Sequence, residues 1–159
     1  MNKLLKASAL AMSLMVTTIS VGTAMPSRTE AAISSTTGTR IVATAKSYIG
    51  DVEYKFNTRD VPRLIFDCSS FTQFIFKKRG IDIPWGSRAQ AKLGTYVSKS
   101  NLRAGDLVFF SVGTPGRIDH VGIYVGSGKF ISNTTSADVV ITDLNSGYWK
   151  NRYITARRM

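Results

Sequence analysis

The chain contains one cysteine and one histidine, and the surroundings of both could support nucleophilic chemistry. Cys68 lies in the segment Phe-Asp-Cys-Ser-Ser-Phe at residues 66–71, and His120 opens a strand-like run at residues 120–126. A thiol and an imidazole are the minimum set for a cysteine nucleophile with its general base. Because a free cysteine is often only a small buried hydrophobic residue, the elements that position it decide its role.

The residues around Cys68 predict the strongest helix of the sequence. Asp67 is a typical N-cap residue, apolar side chains follow at helical spacing, and residues 77–80 supply cations and a terminating glycine. Cys68 is then the first helical residue, where free backbone N–H groups and the helix dipole stabilise a thiolate. The Asp67 carboxylate opposes this effect, so protonated His120 is expected to be needed as well.

His120 stands at the predicted start of a strand. Apolar side chains at positions 121, 123 and 125 alternate toward the core, which places His120 and Gly122 on the opposite face. We expect Gly122 to leave open space beside the imidazole. A purely structural histidine would be expected inside the packed face or scattered on the surface, so this position favours catalysis.

The first half of the chain predicts helices. Apolar residues at helical spacing predict a helix over residues 39–49, preceded by a polar linker at residues 33–38. Residues 51–66 show no clear periodicity and predict a loop. Ser87 opens a sequence of capping-box form, which predicts a short helix that ends near Gly94.

The second half predicts a sheet. Short runs of β-forming residues are separated by Gly, Asn, Asp and Pro, as in an antiparallel sheet or partial barrel. These runs are residues 107–110, 120–125, 129–131, 139–142 and 153–157. The sequence therefore predicts one α+β domain, residues 39–159, with N-terminal helices packed on a C-terminal antiparallel sheet.

Residues 1–32 predict a secretory signal peptide. Lys3 and Lys6 precede a weakly polar hydrophobic stretch at residues 7–21, and small residues then predict cleavage near residue 24 or residue 32. The stretch is too short and too interrupted by Ser and Thr to predict a membrane span, and it has no cysteine for lipid attachment. We expect a secreted protein, extracellular or associated with a cell wall, without a stable membrane anchor.

The net charge is strongly positive. It is +11 for the whole chain and falls by two, to +9, without the predicted signal peptide. Outside a bacterial cell, such a charge favours anionic wall polymers or lipid surfaces over nucleic acid as partners, although it can also simply maintain solubility. A lone cysteine excludes an internal disulfide, so core packing must stabilise the domain, which we expect to be a monomer.

Three segments resemble the signature blocks of the NlpC/P60 family of papain-like cysteine peptidases. They are residues 66–71, 102–110 and 120–126, and a closing segment at 148–153 extends the similarity. The resemblance implies an α+β papain-like fold and a bacterial hydrolase of peptidoglycan stem peptides. Such enzymes typically cut the γ-D-glutamyl–diaminopimelate bond. It implies no cofactor, and one His with one Cys also lacks the ligand set of a metal site.

Family roles can be transferred to matching positions. Cys68 corresponds to the nucleophile, His120 to the general base, and Ser132 to the third catalytic position that orients the base. Tyr54 corresponds to an aromatic residue that helps to bind the free amino end of the peptide. The positions that line the substrate groove correspond to Asp67, Ser69, Ser87 and Arg88. A helix-capping role for Ser87 and a solvated charge at Arg88 are the alternatives.

The sequence also departs from the family pattern. Residues 54–58 replace a Tyr-x-Trp-Gly-Gly motif, and Ser70 replaces a glycine, so we expect a different groove wall. Ser132 stands where the family has His, Asn or Gln. Three outcomes are open: Ser132 orients His120 directly or through a water, the adjacent Asn133 replaces it after a local bulge, or activity is impaired.

Two other functions stay open at this point. One is a non-catalytic wall-binding module that kept the fold and the basic surface. The other is hydrolysis of a different γ-glutamyl polymer, or of the amide at the first residue of the stem peptide.

Overall fold

The computed structural model describes residues 28–159, with side chains from residue 35 onward. The predicted signal peptide lies outside this range except for residues 28–32. The α-helices are α1 (Arg28–Lys46), α2 (Cys68–Lys77) and α3 (Ser87–Gln90), and short 3-10 turns occur at Lys99–Asn101 and Gly147–Trp149. None of the helices in the described part is long and apolar enough to cross a membrane.

Within residues 28–159, nine strands form two sheets. A small sheet contains β1 (Glu53–Tyr54), β2 (Arg59–Asp60) and β3 (Ile65–Phe66) in the order β1-β3-β2. The large sheet contains β4 (Thr95–Tyr96), β5 (Leu107–Phe110), β6 (His120–Gly126), β7 (Lys129–Thr134), β8 (Asp138–Asp143) and β9 (Tyr153–Arg158). Its order is β4-β9-β5-β6-β7-β8, and every neighbouring pair is antiparallel. The predicted α+β fold is confirmed.

Both faces of the large sheet are buried. Leu107 and Phe109 of β5 join α2 in one apolar cluster, whereas Val108 and Phe110 join a second cluster on the other side. The predicted open space beside Gly122 is therefore wrong. A Cβ at this position would lie 2.6 Å from a ring carbon of Phe130, so the glycine permits close packing.

The segment predicted as a linker, residues 33–38, is helical and belongs to α1. Gly38 serves a close approach there, because a Cβ at this position would clash with the carbonyl oxygen of Ala104. The small polar residues fit a linker, but contact with the 104–105 turn explains the glycine.

The capping-box prediction at Ser87 is also wrong. Gly86 is the N-cap of α3, with φ of +105°, and Ser87 is the first helical residue. The cap of this short helix uses no side-chain hydrogen bond. The Ser87 hydroxyl is therefore not needed to begin the helix.

Candidate active site

The start of α2 is fixed by Asp67, as the sequence predicts. Its Oδ1 accepts hydrogen bonds from the backbone N–H groups of Ser69 and Ser70 at 2.8 and 2.7 Å. Its Oδ2 accepts a hydrogen bond from the indole N–H of Trp85 at 2.8 Å. Cys68 is therefore the first residue of a well-capped helix.

Ser69 connects α2 to α3. Its hydroxyl donates to Asp67 at 2.8 Å and accepts the N–H of Gly86, the N-cap of α3, at 3.2 Å. Asp67 and Ser69 are both buried and both used by these contacts. Their side chains thus form the wall beside Cys68. Any contact with a substrate would be made in addition to these structural hydrogen bonds.

The two departures from the family pattern are physically connected. The Ser70 hydroxyl accepts the N–H of Asp67 at 2.9 Å and donates to the carbonyl oxygen of Thr58 at 2.6 Å. A glycine at this position could make neither bond. The serine therefore ties the unusual 54–58 segment to the start of α2.

His120 begins β6 opposite Phe110 of β5 and is 6% exposed. The backbone N–H of its neighbour Val121 faces the Cys68 thiol, which brings the two predicted catalytic residues to the same place. The imidazole also lies against the indole of Trp149, with ring centroids 4.9 Å apart. No local pattern in the sequence indicates this contact, because Trp149 is 29 positions away along the chain.

Ser132 lies on the same face of the sheet as His120. Ile123 pairs with Ile131, so continuing this register places Ser132 opposite Gly122 and diagonal to His120. The Nε2 atom of His120 and the Oγ atom of Ser132 are both buried and lack a hydrogen-bond partner. On this face of the sheet, they are the two buried polar atoms without a hydrogen-bond partner among the described residues.

Asn133 lies on the opposite face. Its side-chain amide donates to the carbonyl oxygen of Phe66 at 2.9 Å and so links β7 to the small sheet. Ser132 and Asn133 pair in regular succession with Val140 and Val139 of β8. No bulge therefore turns Asn133 toward His120.

Burial dominates the ionisation of the pair. Together with the charge on Asp67, it raises the pKa of Cys68 to about 12, against the opposite effect of nearby backbone N–H groups. Burial lowers the pKa of His120 to about 4, against the effects of the Asp119 and Asp67 carboxylates. Both shifts favour the neutral thiol and the neutral imidazole over a thiolate–imidazolium pair in the free protein.

A cleft of about 470 Å³ opens beside Cys68. Its lining includes every residue predicted to bind substrate: Tyr54, Asp67, Ser69, Ser87 and Arg88. Arg88 is exposed, and neither its guanidinium nor the Ser87 hydroxyl has a partner among the described residues. A guanidinium in this position can bind a carboxylate through two hydrogen bonds.

A second cleft of about 640 Å³ opens beside His120 and Trp149. Tyr54, Phe56 and Asp119 line both clefts, which therefore adjoin across the Cys68–His120 pair. Such an arrangement can hold a chain on both sides of the reacting bond. Within residues 28–159, no three His, Cys, Asp or Glu side chains are grouped so that they could hold a metal ion.

Two aspartates near the site were not singled out from the sequence. Asp119 accepts hydrogen bonds from the N–H groups of Val112 and Gly113 at 2.6 and 2.9 Å, which fixes the loop beside His120. Asp138 accepts the N–H of Tyr54 at 2.7 Å and holds β1 against the sheet. Asp119 could have been identified from the sequence because it directly precedes His120. Asp138 could not, because it is distant from Tyr54 in sequence.

Comparison with known proteins gives consistent results. The NlpC/P60 family model matches residues 51–158. Murein DD-endopeptidase MepS/murein LD-carboxypeptidase of Escherichia coli K12 is 47% identical over 94 residues, which are 58% of this chain and 49% of that protein. Gamma-DL-glutamyl hydrolase of Bacillus subtilis 168 is 37% identical over 138 residues, 86% of this chain and 33% of that protein.

The fold comparison agrees with the sequence comparison. The crystal structure of the NlpC/p60 domain of the peptidoglycan hydrolase SagA superposes with a TM-score of 0.63 at 34% identity, covering 77% of this chain and 98% of that domain. This chain spans about half, or less, of the length of the two curated relatives. With the family match covering most of its length, the chain belongs to the NlpC/P60 family.

Proposed function

We propose that the protein is a secreted cysteine endopeptidase that hydrolyses peptide bonds in peptidoglycan stem peptides. The observation that carries this proposal is the position of Cys68, the first residue of a capped helix, in a groove shared with His120 and the predicted substrate-binding residues. The family assignment and the names of the two relatives support it.

The neutral pair determines how the reaction starts. The Nδ1 atom of His120 accepts the thiol proton while Sγ of Cys68 attacks the carbonyl carbon. Backbone N–H groups beside the thiol, those of Cys68 and Val121, can then donate to the oxyanion. The imidazolium returns the proton to the leaving amine and a thioester remains. Water, deprotonated by His120, then releases the carboxylic acid and restores the thiol.

Ser132 is proposed to orient the base. If Nε2 of His120 carries the proton of the neutral ring, it can donate to Oγ of Ser132 directly or through a water, leaving the Nδ1 lone pair for the thiol proton. Support comes from the burial of both atoms without another partner and from their common face.

The cleft beside Cys68 is proposed to bind the acyl side of the substrate. A γ-linked D-glutamate keeps its α-carboxylate free, and Arg88 is an exposed cation without a partner in the described part of the chain. Tyr54 and the buried Asp67 line the same cleft and are proposed to receive the free amino end of a short peptide. These contacts favour the γ-D-glutamyl–diaminopimelate bond.

Product analysis tests this assignment. The protein is incubated with L-Ala-γ-D-Glu-diaminopimelate, with cross-linked sacculi and with poly-γ-glutamate, and the products are identified by mass spectrometry. Release of the L-Ala-D-Glu dipeptide supports the proposed bond. Cleavage of cross-links only, or of poly-γ-glutamate only, would replace it with the activity in the name of the E. coli or the B. subtilis relative. No product from any substrate would favour a binding module.

A further inference from the structure

The His120 imidazole has an aromatic wall on one side. The Trp149 ring lies 4.9 Å from it, centroid to centroid, with 32° between the planes. The Phe110 ring is 6.2 Å away and tilted by 52°. Of these two rings, the indole is therefore both nearer to the imidazole and closer to parallel with it.

The indole is itself held firmly. Its ring contacts those of Phe110 and Phe130 at centroid distances of 4.9 and 5.1 Å. The backbone carbonyl of Trp149 accepts the N–H of Arg152, and the carbonyl of Arg152 accepts the N–H of Ser111 at 2.8 Å, directly after β5. The Gly147–Trp149 turn is therefore tied to the strand that pairs with His120.

The histidine needs stabilisation at one stage of the proposed mechanism. It becomes positively charged when it accepts the proton of Cys68, in surroundings that disfavour a charge. A serine hydroxyl at Nε2 is a neutral acceptor, whereas the face of an indole attracts a cation. We infer that Trp149 is a positioning residue that holds the imidazole in place and stabilises its protonated form during the proton transfer. This inference rests on the proposed cysteine mechanism.

Other groups also influence the charge on His120. The titratable side chains around it are Cys68, Asp67, Asp119, Tyr54 and Tyr148. All of them are kept in a variant that changes only Trp149. Because a smaller side chain also exposes the imidazole, which by itself raises the pKa, a lowered pKa of His120 in that variant is assigned to loss of the indole face.

The single histidine makes the test direct. In the full-length protein labelled with 15N-histidine, NMR reports the protonation state of His120 alone. Trp149→Leu keeps apolar bulk but removes the ring. We expect it to lower the pKa of His120 by about one, to remove most of the ring-current shift of the imidazole protons at pH 7, and to reduce kcat roughly 2- to 30-fold with KM within about twofold.

Two further variants separate this role from ordinary packing. Trp149→Phe keeps an aromatic face and should restore most of the kcat and of the ring-current shift. Phe130→Leu removes a ring from the same cluster but leaves the indole on the imidazole, and it should leave the titration of His120 unchanged. An unchanged or raised pKa of His120 in Trp149→Leu, or an equal effect of Phe130→Leu, would overturn the inference.

Failure of the inference can be told apart from failure of the proposed function. The NMR measurement needs no substrate, so it reports on the stacking even if no hydrolysis is found. Hydrolysis that depends on Cys68 but is insensitive to Trp149→Leu would reject the positioning role alone.

Discussion

Cys68 and His120 are only 8% and 6% exposed, and this burial shapes their chemistry more than the helix end does. The type and spacing of the two residues predict that they act together, but they do not predict how far burial shifts the two pKa values. The helix end and the neighbouring charges are visible in the sequence, whereas the depth of burial depends on the strands and turns that cover the site.

The pH profile follows from the neutral pair. His120 must be unprotonated to accept the thiol proton, so its lowered pKa of about 4 places the acid limb of kcat/KM well below the ordinary histidine value. Cys68 must carry a proton, and its raised pKa places the alkaline limb above pH 9. Initial rates from pH 4 to 10 should show a broad plateau. A bell-shaped dependence of kcat/KM on pH, with limbs near the ordinary pKa values of about 6.5 for histidine and 8.5 for cysteine, would contradict this prediction.

The role of Ser132 is tested with a pair of variants of equal shape. Ser132→Thr keeps the hydroxyl and Ser132→Val replaces it with a methyl group. Because one neutral hydrogen bond is worth about 1 kcal/mol, the valine variant should have a kcat roughly fivefold below that of the threonine variant, with little change in KM. Equal kcat values in the two variants would show that the hydroxyl does not orient His120.

At the scale of elements, long periodic segments were predictable and short ones were not. The capping residue and apolar stripe of α2 identified it, and β5 to β9 each overlap a predicted run. The small sheet was missed because its strands are two residues long and show no alternation. Ser87 and Gly122 were misinterpreted because each local pattern fits two roles, and neighbours distant in sequence decide between them.

The link between α2 and the 54–58 segment predicts a stability effect. Ser70→Ala removes the bond to Thr58 and one half of the capping box, which should cost about 1–2 kcal/mol. In a domain of this size, the melting temperature should fall by about 3–10 °C in scanning calorimetry. Ser98→Ala is the matched control, because its exposed hydroxyl contacts only Ser100. Equal melting temperatures for the two variants would contradict the link.

For the whole molecule, the excess of positive charge is its most general property. Lysine and arginine total 21 against 10 acidic residues, and the described part contains only three salt bridges. Charge was predictable from the sequence because it needs only counting. Which cations form an internal ion pair depends on the fold. Arg158 is paired with Asp106, whereas the Arg88 guanidinium has no partner among the described residues.

Retention on cell walls should therefore depend on salt. The screening length shortens to a few ångströms as ionic strength rises, so binding to isolated walls should weaken strongly above about 0.3 M NaCl. Co-sedimentation with walls between 0.05 and 0.5 M NaCl measures this. Retention that does not respond to salt would show that specific contacts, not charge, hold the protein there.

The most direct test of the proposed cysteine endopeptidase is hydrolysis of L-Ala-γ-D-Glu-diaminopimelate by the wild-type protein beside Cys68→Ala, followed by mass spectrometry. We expect the wild type to release the L-Ala-D-Glu dipeptide and the variant, at equal concentration and with an unchanged melting temperature, to release none. Dipeptide release by Cys68→Ala at the wild-type rate would contradict the proposed nucleophile, and no release by the wild type would contradict the proposed substrate.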